Sequence, residues 1–152
     1  MPSHDFDAFV TEVRPRLAKA FAAAYGRERG QEALAEAMVV AWERFEEICE
    51  MENPAGFLFR VGQSRSRPRL RHDGSAYPAP ASIGVPEVEP GLPAALESLT
   101  ERQRVCVALV HGFGWTHQEV ADLLGLARTS IQNHVDRGLE GLRSGLGVIP
   151  HA

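Results

Sequence analysis

Cysteine is scarce in this chain: Cys49 and Cys106 are the two in 152 residues, and they lie far apart in sequence. Each falls on the apolar side of an expected helix, where a thiol packs as a small hydrophobe, so neither a disulfide nor a metal role is expected of them. No apolar run approaches the length that crosses a bilayer, and the N-terminal MPSHDFDAF has neither the basic start nor the apolar stretch of an export signal. No membrane insertion and a cytoplasmic location are therefore expected. His111, His117 and the scattered acids show no metal-ligand spacing, and neither cysteine has a base placed to activate it, so the chain is read as no enzyme and as needing no cofactor. No segment alternates apolar and polar residues as a strand would, which leaves an all-α fold class. Nor is positive charge in excess: 16 Lys and Arg stand against 20 Asp and Glu, for a net charge of −4.

That balance argues against a protein whose affinity comes from neutralising phosphates, until its distribution is considered. Between Asn53 and His72 there is no acid, while Arg60, Arg65, Arg67, Arg69 and Arg71 crowd the second half of the segment. The acids gather elsewhere, chiefly at Glu43, Glu46, Glu47, Glu50 and Glu52. A basic stripe on an acidic body binds nucleic acid weakly and with strong salt dependence, which implies help from a partner.

The most informative stretch is HQEVADLLGLARTSIQNHVD, residues 117 to 136. Thr116 and Glu119 have the spacing of a capping box, which fixes the start of a helix. Ala121 is small enough for a second helix to cross closely, and Gly125 supplies the positive φ of a tight turn. Ile131, Val135, Leu139, Leu142 and Leu146 then trace one apolar stripe along the second helix. Its opposite face carries Arg128, Thr129, Ser130, Gln132, Asn133, His134 and Arg137. A plain αα-hairpin would share the stripe and the turn. The polar face favours a helix-turn-helix, because Gln and Asn pair bidentately with adenine and Arg reaches guanine or phosphate.

Upstream, Phe6, Phe9, Val10, Val13, Leu17, Phe21 and Ala24 keep helical spacing, with Pro15 kinking or restarting the helix and Gly26 or Gly30 ending it. A second helix is expected from Glu28 to Cys49, with Leu34, Met38, Ala41, Trp42, Phe45 and Ile48 on its core face. Asn53 before Pro54 is an N-cap and helix opener for a third, which Pro68 should stop by Arg67. Residues 73–91, rich in Pro, Gly and Ser, read as an extended linker. Beyond it Pro93 opens a helix, and Thr100 with Gln103 makes a second capping box. The organisation expected is thus two small helical domains, 1–72 and 92–147, joined by the linker 73–91 and followed by a tail, 148–152. The second is a four-helix unit, winged-helix-like but without strands.

Together these pieces resemble the extracytoplasmic-function (ECF) sigma factors of the sigma-70 family, and the resemblance covers nearly the whole chain. It rests on Leu99 to Arg104, Gly112, Glu119-Val120-Ala121, Gly125 and the run from Arg137 through Arg143, which together look like the family's fourth region. ALAEAMVVAWERF and NPAGFLFRVGQSRSR are similar to its second region. The resemblance implies a subunit that directs RNA polymerase to promoters. Core RNA polymerase would meet Leu34, Glu36, Val39 and Trp42. The minus-ten element of promoter DNA would meet Arg60, Gln63, Ser64, Arg65 and Arg67. The minus-thirty-five element would meet the helix from Arg128 to Arg137, and an anti-sigma protein is a further partner by analogy.

The chain departs from the family pattern at Ala35, where the family has an amide, at Phe57, where it has Trp, and at Gln63-Ser64, where it has Arg-Asn. Gln132 and His134 replace basic residues, and Ala127 replaces a capping serine. Two other readings therefore stay open: a stand-alone dimeric helix-turn-helix regulator, and a sigma-like interaction adaptor that has lost strand opening.

Overall fold

The computed structural model describes residues 2–73 and 91–147, without the side chains of residues 2–5 and 67–73. The expected linker, from residue 74 to 90, and the tail 148–152 lie outside the described residues. Among those described, every regular element is helical: α1 (Pro2–Glu43), α2 (Phe45–Ile48), α3 (Pro54–Asp73), α4 (Leu92–Ser98), α5 (Glu101–Val107), a π-helical turn (Ala108–Gly112), α6 (His117–Leu124) and α7 (Arg128–Leu146).

Of three expected breaks, one falls where the sequence puts it and two do not. Gly26 leaves helical geometry at φ 81° and ψ −179°, dividing α1 into two limbs, whereas Pro15 is accommodated inside the first limb. Pro68 is likewise carried inside α3, which continues to Asp73 instead of stopping at Arg67. A proline in a helix interior removes one backbone hydrogen bond and disfavours the helix by about 3 kcal/mol, and α3 runs on through it.

The second limb of α1 buries Ala33, Leu34, Ala37, Val40 and Ala41. Trp42, expected on that core face, is 63% exposed instead. Alanines at 33, 37 and 41 form an i, i+4 row with little bulk, and such a row lets a neighbouring helix approach closely. Gly62 of α3 uses that space: a Cβ there would lie 2.2 Å from the Phe21 ring and 3.1 Å from the Ala33 carbonyl oxygen. The close α1–α3 crossing therefore selects small residues and leaves the indole outside. Trp42 instead sets its edge against Phe6, with centroids 5.0 Å apart, in a half-exposed aromatic group completed by Phe9 and Phe45.

In the C-terminal half, α5 and α7 cross where Gly138 faces Val107; a Cβ on Gly138 would stand 2.4 Å from the valine Cγ2. Both capping boxes form, Thr100 with Gln103 and Thr116 with Glu119, each pair exchanging two hydrogen bonds. The two halves share one apolar core, in which Leu17, Phe21, Leu58 and Phe59 from the first half belong to the same cluster as Val105, Leu109, Val120 and Leu123 from the second. Cys106 is buried in it, and burial pushes its thiol up to about 11, so it is inert at neutral pH. Cys49, expected on a buried face, is exposed because α2 ends at Ile48 and the chain turns there.

Candidate nucleic-acid interface

The geometry of the helix-turn-helix begins with its first cap. Thr116 Oγ accepts from the Glu119 N–H at 3.0 Å, and the Glu119 carboxylate accepts from the Thr116 N–H at 3.0 Å. The backbone and then the hydroxyl of Thr116 hold the Glu119 carboxyl below the usual range. At the far end of α6, Gly125 takes φ 69° and ψ 34°, and the Leu126 N–H closes the turn onto the Ala121 carbonyl at 3.1 Å. Val120, Ala121, Ile131 and Val135 fill the crossing and are all buried. With that stripe fixed inward, the opposite side of α7 has to face solvent.

It does so along most of its length. Arg128, Thr129, Gln132, Asn133 and Arg137 are exposed, and Ser130 and His134 are half-buried at the edge of the row. Ala127 stands at the N-cap with no side-chain bond, as its lack of a hydroxyl dictates. The first-turn backbone N–H groups of α7 thus have no capping side chain, and the helix dipole adds a partial positive charge there, an arrangement that suits phosphate. His134 is held below its ordinary pKa, first by desolvation and then by the cations of Arg102 and Arg137.

The second expected DNA-facing group behaves differently. Arg60 and Gln63, one helical turn apart on α3, line a cleft of about 530 Å³ between the halves, opposite Glu101 and Arg102 of α5 and Leu123 and Leu124 of α6. The Gln63 amide donates to the Glu101 carboxylate. Ser64 and Arg65 point elsewhere and are exposed, with Arg65 reaching back to Glu36 of α1 at 3.4 Å. Arg67 lies on α3, and its side chain is outside the description. The five residues therefore form no single row.

On α1 the expected polymerase contacts divide as well. Val39 is 50% exposed and neighbours Trp42 one turn on, forming an apolar surface strip. Leu34 is 6% exposed and packs in the core with Ala33 and Ala37, so it drops out of that surface. Glu36 is partly covered and bound to Arg65.

Three residues that hold the halves together were not singled out for that role from sequence. Asn53 caps α3 by accepting from the Gly56 N–H at 3.1 Å, while its amide nitrogen donates to the Asp122 and Leu123 carbonyls at the end of α6. Arg104, 5% exposed, donates from Nε to the Ala24 carbonyl at 2.9 Å and from one terminal nitrogen to the Leu96 and Leu99 carbonyls. Arg16 of α1 covers the Trp115 ring at 5.7 Å. Asn-Pro signalled the cap alone; nothing local marks a side chain whose partner is 70 or 80 residues away.

Comparison with known proteins agrees with this geometry. Residues 91–142 match the family described as Sigma-70, region 4, a span that contains the whole helix-turn-helix. The ECF RNA polymerase sigma factor SigK of Mycolicibacterium vanbaalenii is 25% identical over 177 residues, covering 95% of this chain and 90% of that protein. In fold, the chain is similar to the sigma factor RpoE of Bartonella quintana, solved in complex with the anti-sigma factor NepR, with a TM-score of 0.65 and 23% identity over 96% of this chain and 99% of that one. The two crossed helices with an outward polar row thus lie within a stretch that matches Sigma-70, region 4, and over nearly its whole length the chain is similar to sigma factors of the extracytoplasmic-function type, whose all-helical fold it shares.

Proposed function

We propose that the chain directs promoter-specific transcription initiation as a subunit of bacterial RNA polymerase in the cytoplasm. The observation that carries this reading is the outward row on α7, where Arg128, Gln132, Asn133 and Arg137 stand exposed on a buried apolar platform. In the major groove that row reads base edges with its amides and meets phosphates with its arginines. Residues 92–147 would take the minus-thirty-five element. Residues 1–72 would bind core polymerase through Val39 and Trp42, with Glu36 at the edge, and meet the minus-ten element through α3. The work is differential binding to duplex and melted DNA, with the chemistry left to the polymerase and no cofactor required. An anti-sigma protein is a further proposed partner, supported by the complex in which the Bartonella relative was solved.

A second reading has one specific observation in its favour. Gln63 and Arg65, two of the residues the resemblance places at the minus-ten element, are bound to Glu101 and Glu36, an arrangement that suits an adaptor that keeps the fold without opening DNA. Reconstitution with core polymerase on a genomic DNA pool separates the two. Promoter-dependent transcripts support the initiation subunit. A stable complex with the polymerase that yields none supports the adaptor, and a symmetric footprint without polymerase indicates a stand-alone regulator.

A further inference from the structure

Glu101 has no role in the reading above, yet it occupies the surface that reading gives to a melted strand. It stands in the first turn of α5, where the positive end of the helix dipole favours a carboxylate. From there it takes the Gln63 amide across the seam, inside the cleft that Arg60 and Arg102 also line. An anionic oxygen held by an amide in a cleft that two arginines also line resembles the surroundings of a nucleic-acid phosphate. The cleft walls behind it, Phe59, Val105, Leu123 and Leu124, are apolar.

The seam keeps this arrangement shut by contacts that do not depend on DNA. Asn53 joins the start of α3 to the end of α6, and Arg104 joins α5 to the end of the first limb of α1. Gly56 lets the two backbones meet so closely that a Cβ there would lie 2.6 Å from the Leu123 carbonyl oxygen. The row on α7 lies outside the seam and stays exposed.

We infer that Glu101 is an internal stand-in for phosphate: in the closed chain it competes with single-stranded DNA for the Arg60 and Gln63 face of α3, so duplex reading by α7 is available while strand holding is masked. This rests on the reading of α3 as the strand-holding helix. Release requires the halves to part, which a partner achieves by binding the separated form more tightly than the closed one.

The test uses the full chain with Cys49→Ser, Gln63→Cys and Glu101→Cys, joined by a short, reducible bis-methanethiosulfonate linker. Binding of labelled oligothymidine is followed by fluorescence anisotropy at low salt. The linker is expected to close in the free chain, and the linked form should bind the oligonucleotide at least about tenfold more weakly than the same chain after reduction. Independently, Glu101→Gln, which keeps the hydrogen bond and removes the charge, should tighten that binding about threefold. Failure of the linker to close, or equal binding by the linked, reduced and Glu101→Gln chains at any level including none, overturns the inference. Promoter-dependent transcription by the native chain with core polymerase is scored separately. Transcripts together with equal oligonucleotide binding would remove the masking and leave the proposed function standing; masking without transcripts would do the reverse.

Discussion

The polar faces of α7 and α3 carry the same kinds of side chain, yet one is presented and the other is engaged. On α7, Gln132, Asn133 and Arg137 point to solvent above a buried stripe of Ile131 and Val135. On α3, Gln63 is held by Glu101, Arg65 is held by Glu36, and the Arg60 guanidinium reaches towards the turn at Gly125, 4.0 Å from where a Cβ on that glycine would stand. The difference comes from the range of the forces that set each face. A glycine turn and a local apolar stripe orient α7 within about thirty residues of chain. The face of α3 is set by contacts with residues 29 and 38 positions away, so its chemistry depends on how the halves sit together.

The largest expected effect tests whether the seam holds that arrangement. Arg104→Met keeps most of the volume but leaves the Ala24, Leu96 and Leu99 carbonyls without the donor that now serves them. Hydrogen bonds from a charged donor to buried acceptors are worth about 1.5–3 kcal/mol each, and their losses overlap, so we expect destabilisation of about 3 kcal/mol. Urea unfolding measures it through the midpoint at unchanged slope. A loss below about 1 kcal/mol would mean that the seam does not depend on this residue.

Next in size is the close crossing beneath α3. Gly62→Ala introduces a methyl 2.2 Å from the Phe21 ring, and overpacking of that kind costs about 1–3 kcal/mol. Because Gly62 lies on the helix that bears Gln63, the shift should also loosen the Gln63–Glu101 contact. Gly138→Ala provides the matched perturbation between α5 and α7, where the obstacle is Val107 at 2.4 Å. If only the second variant alters duplex binding, the two faces are independently supported, as the comparison requires. If both alter it equally, α7 too is set by the packing of the halves.

These faces also mark how much was legible in the sequence. Both capping boxes, the turn at Gly125, the buried start of the α7 stripe at Ile131 and Val135 and the uncapped start at Ala127 follow from spacing and residue type, because each is decided within a helical turn or two, whereas Leu139, Leu142 and Leu146 further along the stripe are only half-buried. Trp42 was expected in the core since large apolar residues usually are, but the alanine row at 33, 37 and 41 gave the close approach to small side chains. Leu34 is buried, as its place in the helical period implies, and it was the family resemblance alone that put it at the polymerase surface. A proline ordinarily ends a helix, yet α3 continues past Pro68. The engagement of Gln63 and the seam residues Asn53 and Arg104 could not be read at all, because their partners are backbone or side-chain groups that only the tertiary fold brings near.

A smaller effect distinguishes the residues within the α7 row. Arg137→Ala should weaken binding to all duplexes alike and lower the slope of log affinity against log salt by about one, the signature of one lost phosphate contact. Gln132→Ala should leave that slope unchanged and relax the preference at one base pair by about 1–3 kcal/mol. Titration against a set of singly substituted duplexes at several salt concentrations measures both. A selective loss at one base for Arg137→Ala would reassign that arginine from phosphate to base.

The smallest expected effect concerns pH and separates stability from binding on the same face. His134 is kept below its ordinary pKa by desolvation and by the cations of Arg102 and Arg137, so the folded chain binds its proton less readily than the unfolded chain does. The stability associated with neutral His134 is therefore present above its unfolded pKa, near 6.5, and is lost as pH falls through that value towards the lower folded one. Duplex binding should move in the opposite direction, because phosphates brought to the row favour the imidazolium and offset the two arginines. Acidification from pH 7.5 to about pH 6 should thus slightly lower the urea midpoint of the free chain while tightening duplex binding. His134→Gln should flatten both dependences. If the binding trend persists in that variant while the stability trend disappears, His134 is a packing residue at the edge of the row and another group senses the DNA.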